Sequence, residues 1–194
     1  MKQTAKKIQV EMVHNRGYTI PKEEIWMLDQ ERKMKQAYNQ TYTNDDNILY
    51  VHYLNDELLD DMKIFKKKMK NCTHGIIIGE NDDIKKVSTK YNDYFNPLKK
   101  YQLFTIEELQ SNITESILNG TFEKVSSSLI IPSIAHANEL PFFMLNDPIV
   151  KYYDFNAGDV IKITEDSDVD LFENKKISYA IVKNITYKYY NINK

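Results

Sequence analysis

Four histidines and one cysteine are the side chains with most capacity for chemistry in this sequence. His14, His52, His74 and His136 stand in unrelated contexts, with none of the spacings by which imidazoles converge on a metal. Each reads as core or surface filler. Cys72 and His74 would face the same way in an extended chain, and a thiol beside an imidazole is the start of a nucleophile. No third group to orient the imidazole is evident, so catalysis is not expected there. Asp166, Asp168 and Asp170 alternate as calcium ligands do. A calcium loop beginning at Asp166 requires a glycine sixth and a glutamate twelfth, and those positions hold Leu171 and Ile177. The expectation is a solvated acidic loop. No glycine-rich phosphate loop and no Gly-x-Ser-x-Gly turn occurs. No catalytic residue, cofactor, metal site or small-molecule substrate is expected.

The strongest charged cluster is basic: Lys63, Lys66, Lys67, Lys68 and Lys70. On a helix these cover the face opposite Leu58, Met62 and Phe65. The plainer reading is a solvated surface. The sharper one is a contact between Lys63, Lys66, Lys67 and Lys70 and the phosphates of duplex DNA, which needs no base reading. No aromatic interleaving for stacking on bases is visible. The formal charge is −2 and the pI about 6.1. A free-standing nucleic-acid binder draws its affinity from a basic surplus, so this chain is expected to meet DNA only as part of something larger.

The elements that position these residues follow from pattern. Length 194 suits one domain or two small ones, and 42% hydrophobic with 28% charged residues is a globular composition. A single cysteine permits no internal disulfide and points to a reducing compartment. No apolar run approaches the ~20 residues of a membrane span, and Met1 to Val10 does not read as a signal peptide. Thr4 to Asn15 predicts a helix with Ala5, Ile8 and Met12 on one face, ended by Gly17. A second helix is expected from Pro21, with Glu23 and Glu24 in its first turn and Ile25, Leu28 and Met34 inward. Ile48–Leu54 predicts a strand. Asn55 is expected to cap the following helix, whose stripe is Leu58, Met62, Phe65 and Met69. Gly75–Gly79 predicts a buried strand, a helix from Asn81 or Asp82 follows, and Leu103-Phe104 is one more strand. This alternation is that of an α/β domain. Phe122 to Ile134 is ambiguous. Beyond it, Asp147-Pro148 predicts a helical turn through Ile149, Val150 and Tyr153, broken by Gly158. Strands are expected at Val160–Ile163 and Ile177–Val182, separated by the acidic stretch Glu165–Asp170. That second half is a small α+β module.

The gapless run Leu140–Ile163 carries Leu140-Pro141, Asp147-Pro148, Tyr152, Gly158, Val160 and Lys162-Ile163, with Ser178-Tyr179 downstream. It resembles the signature of the fifth common subunit of eukaryotic-type DNA-directed RNA polymerases and of its shorter archaeal counterpart. Glu108-Leu109-Gln110-Ser111-Asn112-Ile113-Thr114 is similar to that family's interdomain junction. Glu11 to Tyr18, followed by Glu23-Glu24, resembles its N-terminus, which the archaeal counterpart lacks. The pattern has a physical basis: Asp147 suits a helix cap, Pro148 its first turn, and Gly158 a turn into the strand. The sequence departs from the family at Asn156-Ala157, where basic residues are usual, at Ala180, where arginine follows Ser-Tyr, in the acidic stretch after Ile163, and across Asn119–His136. These departures mark a diverged member, a large-DNA-virus homologue first and one from an AT-rich protist second.

The resemblance implies an α/β N-terminal jaw-like domain over residues 1–115 and a small α+β C-terminal assembly domain over 116–194. It implies a non-catalytic subunit that assembles on the largest polymerase subunit beside other small subunits and grips downstream duplex DNA. Asp147, Pro148, Tyr152, Gly158, Val160, Lys162, Ile163, Ser178 and Tyr179 are then assembly positions. Its place would be a virion or cytoplasmic viral factory if viral, the nucleus if cellular. A free-standing DNA-binding transcription regulator with the same fold is the alternative, and a hydrolase or transferase a more distant one.

Overall fold

The N-terminal helix α1 (Lys2–Asn15) buries more than the one expected stripe. Ala5, Ile8 and Met12 face inward, joined by Val10, Val13 and the polar Lys6 and Gln9. It stops as Gly17 predicts. Gly17 has φ +82°, its N–H donates to the His14 carbonyl (2.8 Å), and Tyr18 N–H reaches back to Val13 O (3.2 Å). This paired closure needs a left-handed residue at the glycine position. In this computed structural model the described residues are 2–22, 24, 38–45, 47–55, 57–95, 98–111, 120–125, 140–165 and 176–184. Of the helix expected after Pro21, Lys22 and Glu24 are helical, while Glu23, Ile25, Leu28 and Met34 lie outside the described residues. The acidic stretch Asp166–Asp170 and most of Asn119–His136 lie outside them too.

The chain divides into two units, Met1–Asn112 and Ile113–Lys194. In the first, β1 (Gln40–Asn44) and β2 (Asn47–Tyr53) form an antiparallel hairpin. Strands β3 (His74–Gly79) and β4 (Lys100–Thr105) continue the sheet in parallel, in the order β1-β2-β3-β4. Helices α2 (Leu58–Lys68) and α3 (Asn81–Lys90) lie on the two parallel crossovers, the connection that parallel strands require. The expected alternation is therefore present. Strand β1 is an addition: Tyr42 is buried between exposed Thr41 and Thr43, and the Asn44 side chain accepts from Asn47 N (3.0 Å) to close the turn. The core packs Met62, Phe65 and Met69 against Tyr50, Leu54, Ile77 and Val87.

Asn55 does not cap α2. Glu57 occupies the cap position without a side-chain bond, and Asn55 is instead held by Asp61 from the end of the first turn. Its N–H donates to Asp61 Oδ2 (2.6 Å) and its side-chain amide to Oδ1 (3.2 Å). Asp61 is engaged because it also receives His52 Nε2 (3.1 Å), while His52 Nδ1 faces the Tyr50 hydroxyl (3.1 Å). With a carboxylate on one side and a phenol on the other, the consistent arrangement is N–H at Nε2 and a neutral ring accepting at Nδ1.

The second unit is a four-stranded sheet in the order β5-β7-β8-β6, made of β5 (Gly120–Lys124), β6 (Phe142–Met144), β7 (Val160–Glu165) and β8 (Lys176–Lys183). Strands β5, β7 and β8 pair antiparallel, and β6 runs parallel to β8. The two strands expected here are β7 and β8. Strand β5 runs into the stretch from Phe122 that reads ambiguously, and β6 directly follows Leu140-Pro141. The short helix α4 (Pro148–Tyr153) packs Ile149 and Val150 on the inner faces of Phe122, Ile161, Ile163, Ala180 and Val182. Gly158 does not break this helix. The break is at Asp154, which is left-handed (φ 63°, ψ 33°) with its N–H on Val150 O. Gly158, at φ +92°, acts later, in the turn into β7.

Burial holds the His52 ring below its ordinary pKa, against the pull of Asp61. The unfolded ring accepts a proton near ~6.5 and the folded ring only at lower pH. Its contribution to stability is therefore complete above that value and is lost as pH falls toward the folded pKa. The denaturation midpoint of the first unit is expected to drop between about pH 7.5 and 5.5, by at most ~1.4 kcal/mol per pH unit from this group. His52→Gln should flatten that dependence; an equally steep profile in the variant would contradict the assignment.

Candidate functional site

The lysine cluster is where the helical reading places it. Lys63, Lys66 and Lys67 are exposed on α2, and Lys70 is exposed on the 3-10 turn Met69–Asn71 that extends it. Their charges differ in availability. Lys63 pairs with Asp60 at 2.7 Å, both exposed, and that bond raises the lysine pKa. Lys66, Lys67 and Lys70 have no carboxylate partner among the described residues. The Lys66 ammonium stands 5.1 Å from the Tyr94 ring centroid, within cation–π range.

Aromatic residues do not interleave with the lysines for base stacking along the chain, but the fold brings some beside them. The 3-10 turn Asn92–Tyr94 and the first residues of β4 bring Tyr94, Phe95 and Tyr101 beside Lys66 and Lys70, around a cleft of about 410 Å3. Phe95 and Tyr101 are in contact, with ring centroids 4.8 Å apart, and each lies against Phe65. Sequence spacing hides this because strand β3 and helix α3 separate the two groups along the chain. Lys99 is a further residue that pattern reading misses. Its ammonium donates to the carbonyls of Met69, Lys70 (3.0 Å) and Cys72 (2.7 Å). Met69 O also accepts from Cys72 N (3.3 Å), and Lys99 adds a side-chain cap across this C-terminal end.

Cys72 and His74 do not form a nucleophilic pair. The Cys72 thiol is buried, donates to Lys68 O (3.4 Å), and is pushed up in pKa by burial. That is the opposite of activation. The His74 ring faces the Thr73 hydroxyl instead (3.0 Å). Among the described residues no group of His, Cys, Asp or Glu could hold a metal ion, and no helix is long and apolar enough to cross a membrane.

In the second unit the signature residues divide into those that build the module and those it displays. Asp147 accepts from Ile149 N (2.9 Å) and Pro148 takes the first helical position. Tyr152 is buried, and Ile163 lies on the core face of β7 opposite Ser178. At the β7 turn, Gly158 N–H reaches Val182 O (2.8 Å), Val182 N–H returns to Asp159 O (2.9 Å), and the Asp159 side chain accepts from Asn156 N (2.8 Å). An added Cβ at Gly158 would meet nothing within 4 Å, so its requirement is the left-handed backbone, not space.

Val160, Lys162 and Tyr179 point the other way. Residues opposite each other in an antiparallel pair share a face, so Val160↔Ile181, Lys162↔Tyr179 and Thr164↔Ile177 line the side of the sheet away from α4. Lys162 is 3.6 Å from Glu123 across the sheet. Phe142 joins this face beside Ile181, with the Lys183 ammonium 5.1 Å from its ring centroid. Phe142 and Ile177 are about half exposed (49% and 51%).

Asp147→Ala is expected to cost ~0.5–2 kcal/mol of stability in this unit by removing the cap, and Asp147→Ser much less, because serine offers the same acceptor. Thermal denaturation of both variants checks this; equal losses would remove the cap from the account.

Residues 128–179 match the family model for RNA polymerase Rpb5, C-terminal domain. The matched stretch contains the Asp147-Pro148 cap, the Gly158 turn, β7 and the first residues of β8 through Tyr179. Residues 128–179 thus form an Rpb5-like C-terminal domain, and such a domain implies a subunit of an RNA polymerase.

Proposed function

We propose that this chain is a non-catalytic subunit that assembles on the largest subunit of its polymerase through the C-terminal unit and grips downstream duplex DNA through the N-terminal one. The observation that carries the assembly reading is the second face of the C-terminal sheet. A soluble antiparallel sheet ordinarily alternates apolar inside with polar outside. Here the side away from α4 presents Phe142, Val160, Ile177, Tyr179 and Ile181 among its lysines and threonines, with Phe142 and Ile177 half exposed. Contiguous apolar surface rimmed by polar groups marks a protein contact. The DNA reading rests on Lys63, Lys66, Lys67 and Lys70, whose exposed ammonium groups suit phosphates that carry no sequence information. With a net charge of −2, such a contact draws its strength from the rest of the complex.

Affinity purification of the tagged chain from its native source, with mass spectrometry of its companions, tests the assembly. The two largest polymerase subunits are expected in near-equal amount. Ile177→Asp combined with Phe142→Asp should abolish their recovery while leaving the circular dichroism of the isolated chain unchanged, since both positions are half exposed. Gly158→Val should also lose the complex, by straining the turn before β7. Full recovery of the polymerase with the double variant would exclude this face as the anchor. Recovery of the chain alone under mild lysis would favour a free-standing regulator.

A further inference from the structure

We propose that the cleft between the end of α2 and the start of β4 binds single-stranded nucleic acid, with an unpaired base on the Phe95–Tyr101 ledge and its flanking phosphates on Lys66 and Lys70. Three observations converge on one place. The cleft measures about 410 Å3, within the range of small-ligand sites and suited to one nucleotide. Its aromatic floor is fixed from beneath: Phe95 and Tyr101 pack on each other and on buried Phe65. A ring held this way loses little freedom when a base stacks on it, and stacking accepts any base because each has a π-face. The rim supplies two ammonium groups, Lys66 and Lys70, without carboxylate partners among the described residues.

The remaining charges sharpen the assignment. Lys99 also lines the cleft, but its three protons are engaged by the Met69, Lys70 and Cys72 carbonyls. It adds positive potential without being a donor to the ligand. One carboxylate, Asp93, lines the cleft as well, so the charge there is net positive and modest. That favours one or two phosphates beside an aromatic ring over a purely electrostatic grip on a duplex. Lys66 and Lys70 belong to both contacts, but Lys63 and Lys67 do not line the cleft, so the duplex contact can be weakened through those two alone. The inference goes beyond the grip on duplex DNA and does not depend on it.

The test is fluorescence anisotropy of the full chain at fixed salt with labelled single strands of about twelve nucleotides, a length that suits such grooves. Oligo-dT, oligo-U and an abasic strand with the same phosphates are compared. A gain of about tenfold for dT or U over the abasic strand is expected. Tyr101→Leu should erase that gain, while Tyr101→Phe should keep it. Lys66→Gln with Lys70→Gln should weaken all strands and shallow the salt slope by about 0.7 per lysine. Lys63→Gln with Lys67→Gln should lower duplex affinity and leave the base-dependent gain intact. Should Tyr101→Leu fail to fold, photocrosslinking of a 5-iodouracil strand to the unmodified chain decides, with adducts expected at Tyr94, Phe95 or Tyr101. Equal affinity for dT, U and abasic strands, or adducts confined to other segments, would overturn the proposal.

Discussion

The N-terminal unit is organised around an ammonium group taken out of water. Lys6, fully buried on α1, lies 2.9 Å from Glu24 and donates to Gln9 (2.9 Å), the Tyr42 hydroxyl (3.0 Å) and the Tyr38 carbonyl (3.2 Å). Desolvation lowers the lysine's pKa and the Glu24 carboxylate opposes it. The same burial, with Glu24 nearby, raises the Tyr42 and Tyr53 phenols, so both stay protonated. Burying a pair of ions gains little over an apolar pair, but removing one partner strands the other at a cost of ~3–5 kcal/mol. The network therefore acts less as a source of stability than as a condition on geometry. It is complete only when α1, the residues after Pro21 and the edge strand β1 are all in place.

A second polar line does the same between strand and helix. Tyr50, His52 and Asp61 join β2 to α2 through the core, and Asp61 passes the constraint to Asn55 at the strand exit. Burial pushes the Tyr50 phenol up to about 12, so it stays a proton donor to the neutral imidazole. A tyrosine, a histidine and an aspartate in line resemble a catalytic relay, yet all three are buried. Their effect is on placement. They fix the azimuth of α2, which turns Met62 and Phe65 inward and the lysine stripe outward, and which sets Lys66 and Lys70 across from Tyr94 and Tyr101.

The C-terminal unit solves a different problem with fewer residues. A helix of six residues is far too short to be stable by itself, and α4 persists because both ends are closed and its apolar side meets the sheet. Asp147 and Pro148 define one end, and left-handed Asp154 the other. The strands it covers present a second side on which apolar residues, Phe142 and Ile177 half exposed among them, alternate with lysines and threonines.

Much of this was legible without coordinates because it rests on local rules. Helical spacing located α1 and α2, alternation located β7 and β8, and Asp147-Pro148 and Gly17 act through backbone preferences within a few residues. The run from Leu140 to Ile163 resembles that of a polymerase subunit, and the matched C-terminal domain agrees. The tertiary structure decided what local rules cannot reach. Asn55 answers to Asp61 and not to its own helix, because a buried carboxylate shared with His52 outcompetes an exposed cap. Asp154 takes the left-handed turn before the glycine that local preference favours for it, because Val150 O is already there to receive its N–H. Lys6 and Glu24, two ordinary surface-type residues in the sequence, meet in the core only once the chain has folded over them. The aromatic ledge beside the lysines exists for the same reason: β4 pairs with β3, and that pairing alone brings Tyr101 within reach of Lys66.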